Sequence, residues 1–147
     1  MPQIYELNQI TYAQWKPLWQ AYLDFYTTSF NEQQALLSWQ RLTSPLQKDM
    51  FGFAICVNNQ VVGFVHLIAH SSTWTALPYC YLQDLYIDKA FRNQGLARKL
   101  IEFSYQFTQG KYDRVYWLTH ESNETAQYLY RRIATPTGFI QYKKSLN

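Results

Sequence analysis

The chain has 147 residues, 48% of them hydrophobic, with a formal net charge of +3. That suits one domain, residues 1–147, around one core. No apolar run is long enough to cross a bilayer, and no basic stretch leads into an apolar one near the N-terminus, so neither a membrane span nor a signal peptide is expected and a cytoplasmic protein is.

Residues 4–7 are a short apolar alternation and predict a first strand. Thr11 can cap a helix reaching about Tyr26, in which Trp15, Leu18, Trp19, Tyr22, Leu23 and Tyr26 share one face. Asn31 can cap a second helix with Ala35, Leu36, Trp39 and Leu42 on one side, stopped by Ser44-Pro45. Residues 51–57 and 61–69 read as two strands of a hairpin around Asn58-Asn59-Gln60. A polar loop, 70–77, leads into a third long strand, 79–87. Residues 95–110 predict a helix with Leu96, Leu100, Phe103 and Phe107 on one face and Gly110 at its stop. A strand at 115–119, a helix from Asn123 to about Ile133 and a last strand at 139–143 complete the chain. The order β-α-α-β-β-β-α-β-α-β predicts an α/β (α+β) fold, a mixed, mostly antiparallel sheet with helices on both faces. Cys56 and Cys80 stand alone in strand-like segments, without the spacing of a zinc site or redox pair, and read as buried free thiols; no metal is expected.

The basic residues gather at Arg92, Arg98 and Lys99, then at Arg131 and Arg132, and at Lys143 and Lys144. No basic, base-reading helix or RNA-binding signature accompanies them, so a nucleic-acid partner is not expected. The first cluster surrounds Arg92-Asn93-Gln94-Gly95-Leu96-Ala97, between a strand and a helix. Unpaired N–H groups and the dipole at such a helix start favour an anion, and Gly95 lets backbone approach a phosphate closely. The spacing is neither the dinucleotide fingerprint nor a P-loop.

Leu85-Tyr86-Ile87 followed by Arg92-x-x-Gly95-x-Ala97 resembles the acetyl-CoA signature of the GCN5-related N-acetyltransferases (GNAT). Asn123-x-x-Ala126-x-x-Leu129-Tyr130, with Gly138-Phe139, is similar to a second signature of that family. The connection at 131–137, with Pro136, is longer than usual and resembles the branch of fungal histone and polyamine acetyltransferases. The strand around Gln83-Asp84-Leu85 is similar to that of diamine (spermidine/spermine) acetyltransferases, with Gln83 where an acidic residue is usual.

The resemblance implies an acetyltransferase using acetyl-CoA as co-substrate, with direct attack of a neutral amine on the thioester in a ternary complex. It implies that Leu85, Tyr86 and Ile87 line the pantetheine arm, with the Leu85 N–H facing the reacting carbonyl oxygen. It places the pyrophosphate on Arg92, Asn93, Gln94, Gly95, Leu96, Ala97 and Arg98, with Asn123 and Tyr130 also touching the cofactor. Tyr130 is the implied general acid for the departing thiolate. Asp84, Glu121, His120 or a water chain could take the amine's proton. A short diamine or polyamine is the expected acceptor, its ammonium groups paired with Asp84 and Asp24, with Tyr22, Tyr26 and Glu121 as further contacts. Lysine side chains of proteins, an aminoglycoside, or a non-catalytic acyl-CoA-binding role are the alternatives. The aromatic richness permits a homodimer or higher homo-oligomer.

Overall fold

Reciprocal capping starts the first helix. In the computed structural model, which describes residues 1–147, the Gln14 N–H donates to Thr11 Oγ1 at 3.2 Å while Thr11 N–H donates to Gln14 Oε1 at 2.9 Å. Helix α1 (Tyr12–Phe25) begins at this cap. Asn31 Oδ1 accepts from Gln34 N–H at 2.9 Å and opens α2 (Glu32–Thr43), which ends at Ser44 as Pro45 requires.

The chain divides into two compact units, Met1–Trp117 and Leu118–Asn147. The first holds five strands: β1 (Gln3–Glu6), β2 (Met50–Val57), β3 (Gln60–His70), β4 (Tyr79–Ile87) and β5 (Arg114–Tyr116). They form one sheet in sequence order, antiparallel except for the parallel β4–β5 pair. Asn58 and Asn59, at φ 51° and 65°, make the tight β2–β3 turn with the positive φ pair that a two-residue hairpin favours.

Strand alternation divides the core. Ala54, Cys56 and Phe64 pack with Trp15, Leu18, Ala35 and Leu42 of α1 and α2. On the other face Phe53 meets Phe103 and Phe107 of α3 (Leu96–Thr108), with ring centroids 4.9 and 5.0 Å apart. Both cysteines are buried free thiols, and burial pushes the Cys80 thiol up to about 11. No helix is long and apolar enough to cross a membrane.

Two irregularities shape β4. Its register with β3 slips beside His66, so that Asp84 pairs with His66 and Leu82 with Leu67. Gln83 is the extra residue of this bulge and is exposed, while Asp84 turns inward. On its other side β4 pairs with β5 only from Tyr79 to Tyr81, and from Leu82 to Ile87 it has no partner strand there. Asp88 N–H bonds to Val62 O on β3 at 2.7 Å. By alternation, the main-chain groups of Ile87 and Leu85 are directed away from β3.

In the second unit α4 (Glu124–Ile133) starts at Asn123. Gln127 Nε2 donates to the carbonyls of His120 and Glu121, tying the preceding loop to the helix. The last strand expected at 139–143 does not form. Pro136 supplies no ladder donor, Gly138 at φ 84° turns the backbone out of the extended region, and no neighbouring strand pairs with residues 139–143. Phe139, Ile140 and Tyr142 remain exposed. The predicted strand at 115–119 is correspondingly shorter, ending at Tyr116.

Candidate active site

Four side chains from three elements form a buried hydrogen-bonded chain. Trp15 Nε1–H donates to His66 Nε2 at 3.0 Å. His66 Nδ1 lies 2.8 Å from Asp84 Oδ2, and the Tyr22 hydroxyl donates to Asp84 Oδ1 at 2.8 Å. Trp15 is fully enclosed, His66 is 3% exposed and Asp84 9%. Helix periodicity brings Trp15, Trp19 and Tyr22 onto the face of α1 that covers β3, and the bulge aims Asp84 at it. Burial, then the Asp84 carboxylate, pushes the Tyr22 phenol far above its ordinary range, so Tyr22 remains a donor.

Beside this chain lies a cavity of about 220 Å³. Trp19, Leu42, Met50 and Ile68 give it apolar walls; Ser38, Gln83, His66 and Asp84 supply its polar atoms. Asp84 is its only acidic lining residue, and neither Lys nor Arg lines it. Asp24 is exposed and outside the lining. It follows Tyr22 by two positions, about 200° around the helix, so Tyr22 and Asp24 cannot face the same wall. Tyr26 is also largely exposed, with its ring 5.0 Å from that of Tyr22. The resemblance singled out Asp84, while neither it nor the residue patterning pointed to the contacts of Asp84 with His66 or of His66 with Trp15. A histidine inside the apolar run of β3 was the available signal, because a buried imidazole requires partners.

The turn after β4 leads directly into α3. Asp88 Oδ1 accepts from Ala90 N–H at 2.9 Å, shaping a single 3₁₀ turn. Arg92 Nε donates to Ile87 O at 3.0 Å, and its guanidinium lies over the Tyr86 ring. Asn93 and Gly95 take positive φ, 64° and 76°, and Gly95 becomes the N-cap of α3. No side chain caps that helix start. A Cβ built on Gly95 would meet nothing within 4 Å, so the space before the helix is open. Gln94 and Arg98 are exposed, Ala97 half-buried and Leu96 buried; Arg98 pairs with Glu102 at 2.7 Å. Leu85 and Tyr86 are half-buried and Ile87 buried.

In the second unit Asn123 stands at the N-cap of α4 without a side-chain cap bond, and Tyr130 is half-buried on the helix. Glu121 is exposed, and His120 Nδ1 lies 2.6 Å from Ser122 Oγ. No group of three or more His, Cys, Asp or Glu side chains is placed to hold a metal.

Within this fold, with its partly unpaired β4 and open turn before α3, residues 5–134 match the Acetyltransferase (GNAT) family. The chain belongs to that family and is an N-acetyltransferase. It is 32% identical over 133 residues to the D-amino-acid N-acetyltransferase HPA3 of Saccharomyces cerevisiae, covering 89% of this chain and 83% of that one. Among solved structures it resembles the aminoglycoside acetyltransferase AAC(6')-Iy in complex with the bisubstrate analog CoA-S-monomethyl-acetylneamine. The TM-score is 0.84 and the identity 14%, with 99% of this chain and 98% of that one covered. The ribosomal-protein-alanine N-acetyltransferase of Brucella melitensis biovar Abortus 2308 matches at a TM-score of 0.77 and 17% identity, covering 99% of this chain and all of that one. These two likenesses establish the fold.

Proposed function

We propose that the chain acetylates the amino group of a small primary amine, an amino acid in preference to a diamine, with Asp84 receiving the ammonium form and water carrying its proton to bulk before the neutral amine attacks. The observation that carries this reading is a single buried carboxylate in the wall of an otherwise uncharged, largely apolar cavity. Its volume of about 220 Å³ is below the ~300–1,000 Å³ typical of pockets for drug-sized ligands, which favours a small acceptor over an aminoglycoside or a peptide. An amino acid needs one carboxylate for its ammonium and neutral donors for its own carboxyl group. Asp84 offers the first, and the Ser38 hydroxyl and Gln83 amide offer the second. The yeast relative, named for D-amino acids, supports the same choice. A short diamine is the second reading, favoured by the aromatic ring of Trp19 beside Asp84. Asp24 gives it little help, being exposed and away from the cavity.

Acetyl-CoA is the donor in this reading. The residues present fit it: the start of α3 has no side-chain cap, the space before Gly95 is open, and Leu85 and Ile87 direct main-chain groups away from β3. Residues 92–98 would hold its phosphates, and Leu85, Tyr86 and Ile87 its pantetheine amides. When bound, it supplies the acetyl group as an activated thioester. Leu85 N–H donates a hydrogen bond where negative charge develops. Tyr130 acts as general acid, and Asn123 as a cofactor contact; the motif Asn123-x-x-Ala126-x-x-Leu129-Tyr130 supports both roles.

Thiol release from acetyl-CoA, followed over D- and L-amino acids, short diamines and chain-matched monoamines, tests the proposal. D-amino acids are expected to give the highest kcat/KM. Diamines ahead of all others would move the assignment to the second reading, and no turnover with any amine would defeat both.

A further inference from the structure

We propose that His66 and Trp15 are positioning residues for the acceptor: Trp15 fixes the tautomer of His66, and His66 fixes the carboxylate of Asp84. The inference rests on the reading of Asp84 as the amine's anchor, and concerns how that anchor is aimed.

An indole N–H can donate but never accept. The 3.0 Å contact from Trp15 Nε1 therefore makes His66 Nε2 the acceptor. In the neutral ring the proton must then sit on Nδ1, where it is donated to Asp84 Oδ2 at 2.8 Å. Tyr22 donates to the other oxygen, Oδ1, at 2.8 Å. The carboxylate is thus gripped at both ends, from β3 and from α1. This matters because rotation of an aspartate carboxylate about χ2 is otherwise loosely restrained. With both oxygens held, their remaining lone-pair directions are fixed relative to the cavity that Asp84 and His66 both line.

The same geometry argues against His66 as a proton shuttle. A second proton on Nε2 would set two donors face to face with Trp15, and the indole offers no acceptor to pass a proton on. Packing holds the ring as well: Phe64 stacks on His66 with centroids 4.4 Å apart, and Trp15 and Trp19 flank it at 5.9 and 5.4 Å. Every polar atom of the imidazole has a partner of fixed polarity, which is how a buried polar network specifies one arrangement.

Two measurements test the proposal. Imidazole ¹⁵N shifts of the wild-type protein should report a neutral His66 with its proton on Nδ1; a proton on Nε2 overturns the inference without any mutation. Steady-state kinetics then compare His66→Leu, which lacks the donor, with His66→Asn, whose amide nitrogen falls near the Nδ1 position. His66→Leu is expected to lose roughly tenfold to a hundredfold in kcat/KM for the amine, the scale of one charge-assisted hydrogen bond. His66→Asn should recover most of that loss, and the KM for acetyl-CoA should stay unchanged in both. Trp15→Phe should move the amine's kcat/KM in the same direction. Equal loss in His66→Leu and His66→Asn, or no loss in either, defeats the positioning role. If His66→Leu does not fold, the wild-type tautomer and the His66→Asn and Trp15→Phe kinetics still decide. A wild type inactive toward every amine would instead defeat the reading of Asp84 on which the inference stands.

Discussion

Deleting one hydroxyl separates proton transfer from packing at Tyr130, because Phe keeps the ring and nearly all the volume. Tyr130→Phe should lower turnover by ~100-fold or more, the usual cost of a missing general acid, with acetyl-CoA affinity nearly unchanged. Full turnover under conditions where chemistry is rate-limiting would leave Tyr130 a packing residue. Gly95 gives an independent test. Its φ of 76° and the open space before it suit a bare backbone, and Gly95→Asp would add both strain and a negative charge. Calorimetry should show a sharp fall in acetyl-CoA affinity while the fold persists; unchanged affinity in a folded variant would remove this turn from the phosphate site. At this scale the sequence was legible wherever a residue's role depends on near neighbours. Gly95 is readable from its place between a strand and a helix, and Asp84 from a motif. The partnership of Asp84 with His66 and Tyr22 was not, since those side chains lie 18 and 62 residues away along the chain. Only the packing of α1 on β3 brings them together.

Hairpins and caps carry their instructions locally, which is why β2, β3 and the starts of α1 and α2 are readable from Asn58-Asn59, Thr11 and Asn31. A terminal strand does not. Residues 139–143 have the composition of a strand, but a strand exists only within a ladder, and none forms there. Close packing between elements is equally non-local, and Gly52 shows it. Gly52 pairs with His66 across the β2–β3 ladder. A Cβ at Gly52 would collide with the Val65 carbonyl oxygen and lie 2.7 Å from Leu7 Cδ1. Because the first obstacle is backbone, β3 itself would have to shift. Gly52→Ala should cost about 1–3 kcal/mol by chemical denaturation, as overpacking does, and should displace the backbone that carries His66. A variant as stable as the wild type would mean that β3 yields more readily than close packing implies.

At the scale of the molecule, one trend runs through the ionisable groups of the first unit. Burial raises the phenols of Tyr12, Tyr22, Tyr81, Tyr105, Tyr112 and Tyr116 above their ordinary value of 10.0, and both thiols above 9.0. These groups are neutral when protonated, and the folded chain keeps the proton to higher pH than the unfolded chain does. Above pH 9.0 the unfolded state therefore binds fewer protons, and stability must fall as pH rises. The contribution is complete below about pH 8 and is lost progressively from 9.0 upward, thiols first and phenols from 10.0. Melting temperature tracked from pH 7 to 11 should be flat and then decline steeply. A flat profile to pH 11 would show that these hydroxyls reach solvent in the folded state. The overall architecture was readable because two motifs and an element order agreed, each limiting what the other could mean.

The rings of Trp19 and Trp39 lie 5.4 and 5.2 Å from that of Trp15, which is fully enclosed, while Trp74 is 77% exposed. Indole emission shifts to the blue in apolar surroundings and to the red in water, so these two environments separate in the spectrum. Trp19 borders the cavity and Trp15 touches the imidazole beneath it. The protein thus carries its own optical reporter: an amine that binds in this cavity should change the short-wavelength part of its fluorescence, with no label attached.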